Sequence, residues 1–127
     1  MRRTSSIPDL PGQFILGKTR TNIPESWISE SIGDWLLGCH PTLPVIRISD
    51  ENGQVAGWIL GYAIDEAGRL LAENDSRTVP GIGDGLESGE ERFTYRFGGR
   101  FLTIFADTRW PRVYLDPCGS LSAVYCP

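Results

Sequence analysis

Short apolar runs divided by glycine- and proline-marked turns fill most of the chain, and one stretch instead repeats its apolar positions at helical spacing. Phe14-Ile15-Leu16, closed by Gly17, predicts a strand. From Pro24 to Gly38 the residues Trp27, Ile28, Ile32, Trp35 and Leu36 fall at i, i+1, i+5, i+8 and i+9, which predicts one apolar face of a helix. Pro24 suits a first helical turn, Glu25 favours the positive end of the dipole, and Gly38 suits a stop. Pro41 and Pro44 bar its continuation. On this reading Trp27 and Trp35 pack against a sheet.

Val45 to Ile48 predicts a strand, Asp50-Glu51-Asn52-Gly53 a hairpin turn, and Val55 to Ile64 the return strand. The interior glycines Gly57 and Gly61 imply close backbone approach or a bulge. Asp65 to Gly68 turns again, and Arg69 to Ala72 starts another strand. Residues 73–89 form a long connection rich in Gly, Asp, Asn and Ser, expected to be mobile. Glu87 to Phe97 predicts a short helix capped by Ser88 and ended by Gly98-Gly99. The run from Gly98 to Tyr125 reads as strand, tight turn, strand, Asp-Pro-Cys-Gly turn and a third strand, Leu121 to Tyr125. The fold class is therefore α+β: a mostly antiparallel sheet with one or two packed helices.

The 127 residues suit a single domain, 1–127, with 1–12 frayed, and 40% hydrophobic content suffices for a core. A net charge of −4 argues against general binding to nucleic acid or anionic membranes. Asp84, Glu87, Glu90 and Glu91 cluster, as do Arg96, Arg100, Arg109 and Arg112, and both groups read as solvated surface. No apolar window reaches membrane-spanning length, and the arginines at the start are not followed by an apolar signal segment. The expectation is a cytoplasmic protein whose Cys39, Cys118 and Cys126 are reduced. Three cysteines and one histidine, His40, do not make a zinc site, so neither metal nor cofactor is expected.

Three segments follow one another in order: Leu43-Pro44-Val45 leading into Gly57 to Asp65, then Gly99-Arg100-Phe101, then Tyr114 to Gly119. Together they resemble the N-terminal, amidotransferase-like domain of asparagine-synthetase-like proteins, a class II fold of the Ntn-hydrolase type. The resemblance covers roughly residues 43–125 and is greatest to the lasso-peptide macrocyclase and beta-lactam-synthetase-like members of that group. The resemblance implies a relation to peptide modification and ATP-dependent amide formation. Its active members need a cysteine at the mature N-terminus, whose thiolate attacks glutamine while the α-amino group acts as base. Here Arg2 follows Met1 and the first cysteine is Cys39. The family's ATP-using domain carries Ser-Gly-Gly-x-Asp-Ser, and the nearest Gly-rich segment, Gly81 to Gly85, lacks a lysine and reads as a loop. A shortened, non-catalytic domain follows, acting as a structural or partner-binding module.

Other chemistry is open to fewer residues. Cys118, near Arg112 in sequence, is a reactive-thiol candidate against the plainer reading of a turn residue. Cys39-His40 is a dyad candidate against a histidine that only caps carbonyls. Either would give a small cysteine-dependent hydrolase or transferase. Trp27, Trp35, Trp58 and Trp110 are candidates for a ligand cradle, with Trp110, before Pro111, the one expected to be exposed for a partner. The edge expected at Leu121 to Tyr125 implies a self-associating remnant, a homodimer built on the C-terminal strands.

Overall fold

The computed structural model describes residues 12–18, 22–72, 76–78, 87–106 and 110–118. The chain forms two compact units, one ending at Leu43 and one beginning at Pro44. Among the described residues the architecture is mostly antiparallel sheet with one short helix, the coarse form of the α+β expectation.

In the first unit, strands β1 (Phe14–Lys18), β2 (Ile28–Ile32) and β3 (Trp35–Cys39) form an antiparallel sheet in the order β1-β3-β2. The helix predicted from Pro24 to Gly38 is therefore a β-hairpin. Its loop is the pair Gly33-Asp34, and Ile32 lies opposite Trp35. Gly33 has φ +56°, a conformation open to glycine but strained for most residues. Ile28, Glu30 and Ile32 alternate with Ser29 and Ser31 at a period of two, and the turn sits at the midpoint of the stretch. Trp35 and Leu36 point to opposite faces, and both are half-buried, so they share no apolar stripe. Gly38 does not stop a helix. It lies inside β3, where a Cβ would come within 2.7 Å of the Ile23 side chain. Gly17, expected to close β1, lies within it opposite Leu36. Pro24 belongs to a turn, with the Trp27 amide donating to its carbonyl at 3.0 Å.

The second unit contains β4 (Val45–Ser49), β5 (Val55–Ile64), β6 (Ser76–Thr78), α1 (Glu87–Thr94), β7 (Gly98–Phe105) and β8 (Arg112–Leu115). Its sheet order is β6-β4-β5-β7-β8, antiparallel throughout except for the parallel β4–β6 pair. The hairpin turns are where the sequence predicts them. Asp50 Oδ1 accepts the amides of Asn52 and Gln54, each at 2.9 Å. Asp65 Oδ1 does the same for Ala67 and Arg69 at 3.0 and 2.9 Å.

Three predicted elements change. Arg69 to Ala72 is not a strand: it touches the sheet through one bridge, Ile64 to Leu70, and through the Leu71 amide on the Ala63 carbonyl. The predicted connection over 73–89 contains β6, whose polar Ser-Arg-Thr gives no apolar alternation to read. The helix stops at Thr94, three residues before Phe97, and encloses Ser88 rather than starting at it. The predicted strand Leu121 to Tyr125, Cys126, the Gly81–Gly85 loop, Asp84 and Arg109 lie outside the described residues.

Close packing of β5 between β4 and β7 depends on missing side chains. A Cβ at Gly57 would stand 2.2 Å from the Ile104 carbonyl oxygen. On one sheet face Ile46, Ile48, Ile59, Ala63, Leu71, Phe101 and Phe105 meet Phe93 and Phe97 of the helical segment. Four edge-to-face ring pairs lie there, Phe93–Phe97 closest at 5.1 Å between centroids. Each adds about 0.5–1.5 kcal/mol beyond the area it buries.

Candidate functional site

The covered face of the second unit holds polar side chains as well as rings. Helical spacing places Glu90, Phe93, Thr94 and Phe97 on the side of α1 and its following turn that faces the sheet. Strand alternation places Arg112 and Tyr114 of β8 on the same side, opposite Phe105 and Thr103. Glu90 is 1% exposed. Arg112 grips it bidentately, Nε to Oε1 at 2.8 Å and Nη2 to Oε2 at 2.7 Å. Tyr114 donates its hydroxyl to Oε1 at 3.0 Å. Arg112 Nη1 also donates to the Trp110 carbonyl at 2.8 Å. The Thr94 hydroxyl reaches the Glu90 carbonyl at 3.0 Å and the Thr103 hydroxyl at 2.6 Å, both threonines fully buried.

This cluster corrects the solvated-surface reading of the acidic and basic groups. Buried Glu90 and half-buried Arg112 form an ion pair that ties helix to β8. With three donors on its two oxygens, the carboxylate is engaged in holding α1 to the sheet. Other pairs fit the surface reading, such as Arg96–Glu66 at 3.9 Å between exposed side chains.

The sequence-derived candidates occupy separate places. Cys39 is a free, buried thiol in β3. Burial first, and then the negative charge of Glu30, push it up to about 12, so it stays protonated at neutral pH. His40 Nδ1 accepts the Thr42 amide at 3.1 Å and lies 2.8 Å from the Thr42 hydroxyl, while its ring stands edge-on to Trp27 at 6.1 Å. Cys118 is free and exposed at the turn after β8. That turn is built by Asp116, whose Oδ1 accepts the Cys118 amide at 2.8 Å and whose Oδ2 accepts the Phe101 amide at 3.1 Å. The Arg112 guanidinium is committed to Glu90.

The tryptophans are divided between the units. Trp27 is buried, and Trp35 carries the Lys18 ammonium 4.9 Å from its ring centroid, both in the first unit. In the second, Trp58 is fully buried, whereas Trp110 is 72% exposed, as its place before Pro111 predicts. Among the described residues no three His, Cys, Asp or Glu side chains gather as a metal site, and no helix is long and apolar enough to cross a membrane.

Sequence reasoning missed the Glu90–Arg112–Tyr114 cluster. The available signals were the alternation of Arg112 and Tyr114 in a four-residue strand and the position of Glu90 three residues before Phe93. The opposite sheet face was missed as well. There Trp58, Leu60, Leu102 and Ile104 are fully buried, whereas Tyr62, Ile64, Val113 and Leu115 are 40–54% exposed. Comparisons with protein-family models, with curated proteins and with solved structures each find no match for this chain.

Proposed function

We propose that the chain is a non-catalytic, amidotransferase-like module that binds a partner related to ATP-dependent amide-forming enzymes of the asparagine-synthetase type. The carrying observation is that Tyr62 and Ile64 of β5 and Val113 and Leu115 of β8 are large apolar side chains left 40–54% exposed, which suits contact with a partner. Two further features support the reading. The Cys39 thiol is buried and held protonated, and the buried carboxylate Glu90 is engaged by Arg112 and Tyr114. The resemblance of residues 43–125 to amidotransferase-like domains supplies the partner class.

The test is glutamine hydrolysis. Incubation of the purified chain with glutamine is expected to release no ammonia above a boiled control, and release above that control would sink the reading. Incubation with ATP and carboxylate substrates is likewise expected to release no pyrophosphate.

A further inference from the structure

Two turns of the second unit are built alike and differ at one position that matters chemically. Asp50-Glu51-Asn52-Gly53 and Asp65-Glu66-Ala67-Gly68 each begin with an aspartate whose Oδ1 accepts the amides two and four residues on. In each, the glycine amide donates to the aspartate carbonyl, at 3.0 Å for Gly53 and 2.9 Å for Gly68. The glycine φ angles are +82° and +81°. The third position is Asn52 in one turn and Ala67 in the other, so the turn itself does not require an asparagine there. Asn52 is also the asparagine of this chain that precedes a glycine, since Asn22 precedes Ile23 and Asn74 precedes Asp75. An asparagine side-chain amide is an electrophile for the next backbone nitrogen, and a side chain on the following residue shields that nitrogen. Glu51 to Gln54 are exposed, and a Cβ on Gly53 would meet nothing within 4 Å, so water and base reach the pair freely.

We infer that Asn52-Gly53 is a site of spontaneous deamidation, and that the Asp50 turn sets its rate. The Gly53 nitrogen gives its proton to solvent base and bonds to Asn52 Cγ. The bond from Cγ to the side-chain nitrogen breaks, and that nitrogen takes up a proton and leaves as ammonia. Water then opens the five-membered imide, adding hydroxyl to one carbonyl carbon and a proton to the ring nitrogen. Addition at Cγ gives aspartate; addition at the main-chain carbonyl gives isoaspartate, whose backbone runs through Cβ and Cγ. Nothing is oxidised or reduced. Either product places a carboxylate beside Asp50 and Glu51, and isoaspartate lengthens the turn between β4 and β5. In the closed turn the Asp50 carbonyl holds the Gly53 amide and Asp50 Oδ1 holds the Asn52 amide, so attack waits for the turn to open.

The test keeps the full-length chain in warm, mildly alkaline buffer and samples it over days. Digestion and mass spectrometry follow the peptides carrying Asn52 and Asn22, with aspartate and isoaspartate separated by retention. The Asn52 peptide is expected to gain the mass of the acid and to split into two products while the Asn22 peptide persists. Asn52→Ala, which copies Ala67 of the sister turn, is expected to fold and to stay homogeneous in charge on the same incubation. Asp50→Ala is expected to raise the rate at Asn52 severalfold, and the unaltered chain in urea, where every turn is open, to convert fastest. An Asn52 peptide that persists, or an Asn22 peptide lost equally fast, would overturn the proposed site. Equal rates in the folded chain and in urea, or an unchanged rate in Asp50→Ala, would overturn the role given to the turn.

Discussion

Removing the Glu90 carboxylate takes from Arg112 its bidentate acceptor while the guanidinium remains 15% exposed beneath the helix. Glu90→Gln is expected to cost about 3 kcal/mol, because the charge-assisted bonds that the buried carboxylate receives from Arg112 and Tyr114 are lost. Urea unfolding followed by fluorescence measures it, and a loss below about 1 kcal/mol would show that the pair contributes little. Replacing Glu90 and Arg112 together by leucine is expected to cost less than the sum of the two single changes. A second residue-scale expectation concerns alkaline pH. The Cys39 thiol keeps its proton to about 12 in the folded chain but releases it near 9.0 once unfolded. Between those values the unfolded chain holds fewer protons, so this group's contribution is intact below 9.0 and is lost as pH rises toward 12. Relative to Cys39→Ala, the native chain should lose stability across that window, and parallel denaturant midpoints at both ends would refute it. Neither residue's role was legible beforehand. Glu90 and Arg112 are 22 positions apart in a charge-rich sequence, and charge alone does not tell a buried pair from two solvated ones.

At the scale of elements, backbone approach sets the tolerance to substitution. Gly99 in β7 has φ +110°, and a Cβ there would stand 2.2 Å from the Tyr62 carbonyl oxygen. Gly89 in α1 has nothing within 4 Å of the same position. Gly99→Ala is therefore expected to destabilise by about 2 kcal/mol or more, and Gly89→Ala to stabilise by about 0.5–1 kcal/mol. Thermal melts of the two variants decide this, and shifts of the same sign would contradict it. The same scale shows why some elements could be read and others could not. The β4–β5 hairpin announces itself through Asp50 to Gly53 between β-branched runs. The β2–β3 hairpin does not, because adjacent apolar pairs at Trp27-Ile28 and Trp35-Leu36 satisfy helical spacing while Ile28 to Ile32 satisfies strand alternation. Gly33-Asp34, at the centre of the supposed helix, was the deciding signal. With β6, three polar residues are held by parallel pairing to Arg47, Ile48 and Ser49, a tertiary fact that local pattern does not encode.

For the whole molecule, the aromatic and aliphatic core beneath α1 lies within residues 44–127. A fragment of those residues is expected to fold alone, with a dispersed amide spectrum and a cooperative melt. The fragment 1–43 falls near the size, about 40 residues, below which a core seldom suffices, and is expected to be unstructured. A collapsed spectrum for 44–127 would show that its sheet needs the first unit. The sheet order also determines when this molecule can assemble. Among the described residues the longest ladder joins β5 to β7 through eight residue pairs, from Gly57–Phe105 to Ile64–Gly98. The chain leaves that ladder at Ile64 and rejoins it at Gly98. The pairs β4–β5 and β7–β8, each separated by a short stretch of chain, can zip up on the timescale of microseconds. The ladder between them must wait for a long loop to close, with its entropy lost before any pair rewards it. Folding speed is therefore expected to be set by the meeting of the two hairpins, and before they meet the edges of β5 and β7 would lie open to a neighbouring chain.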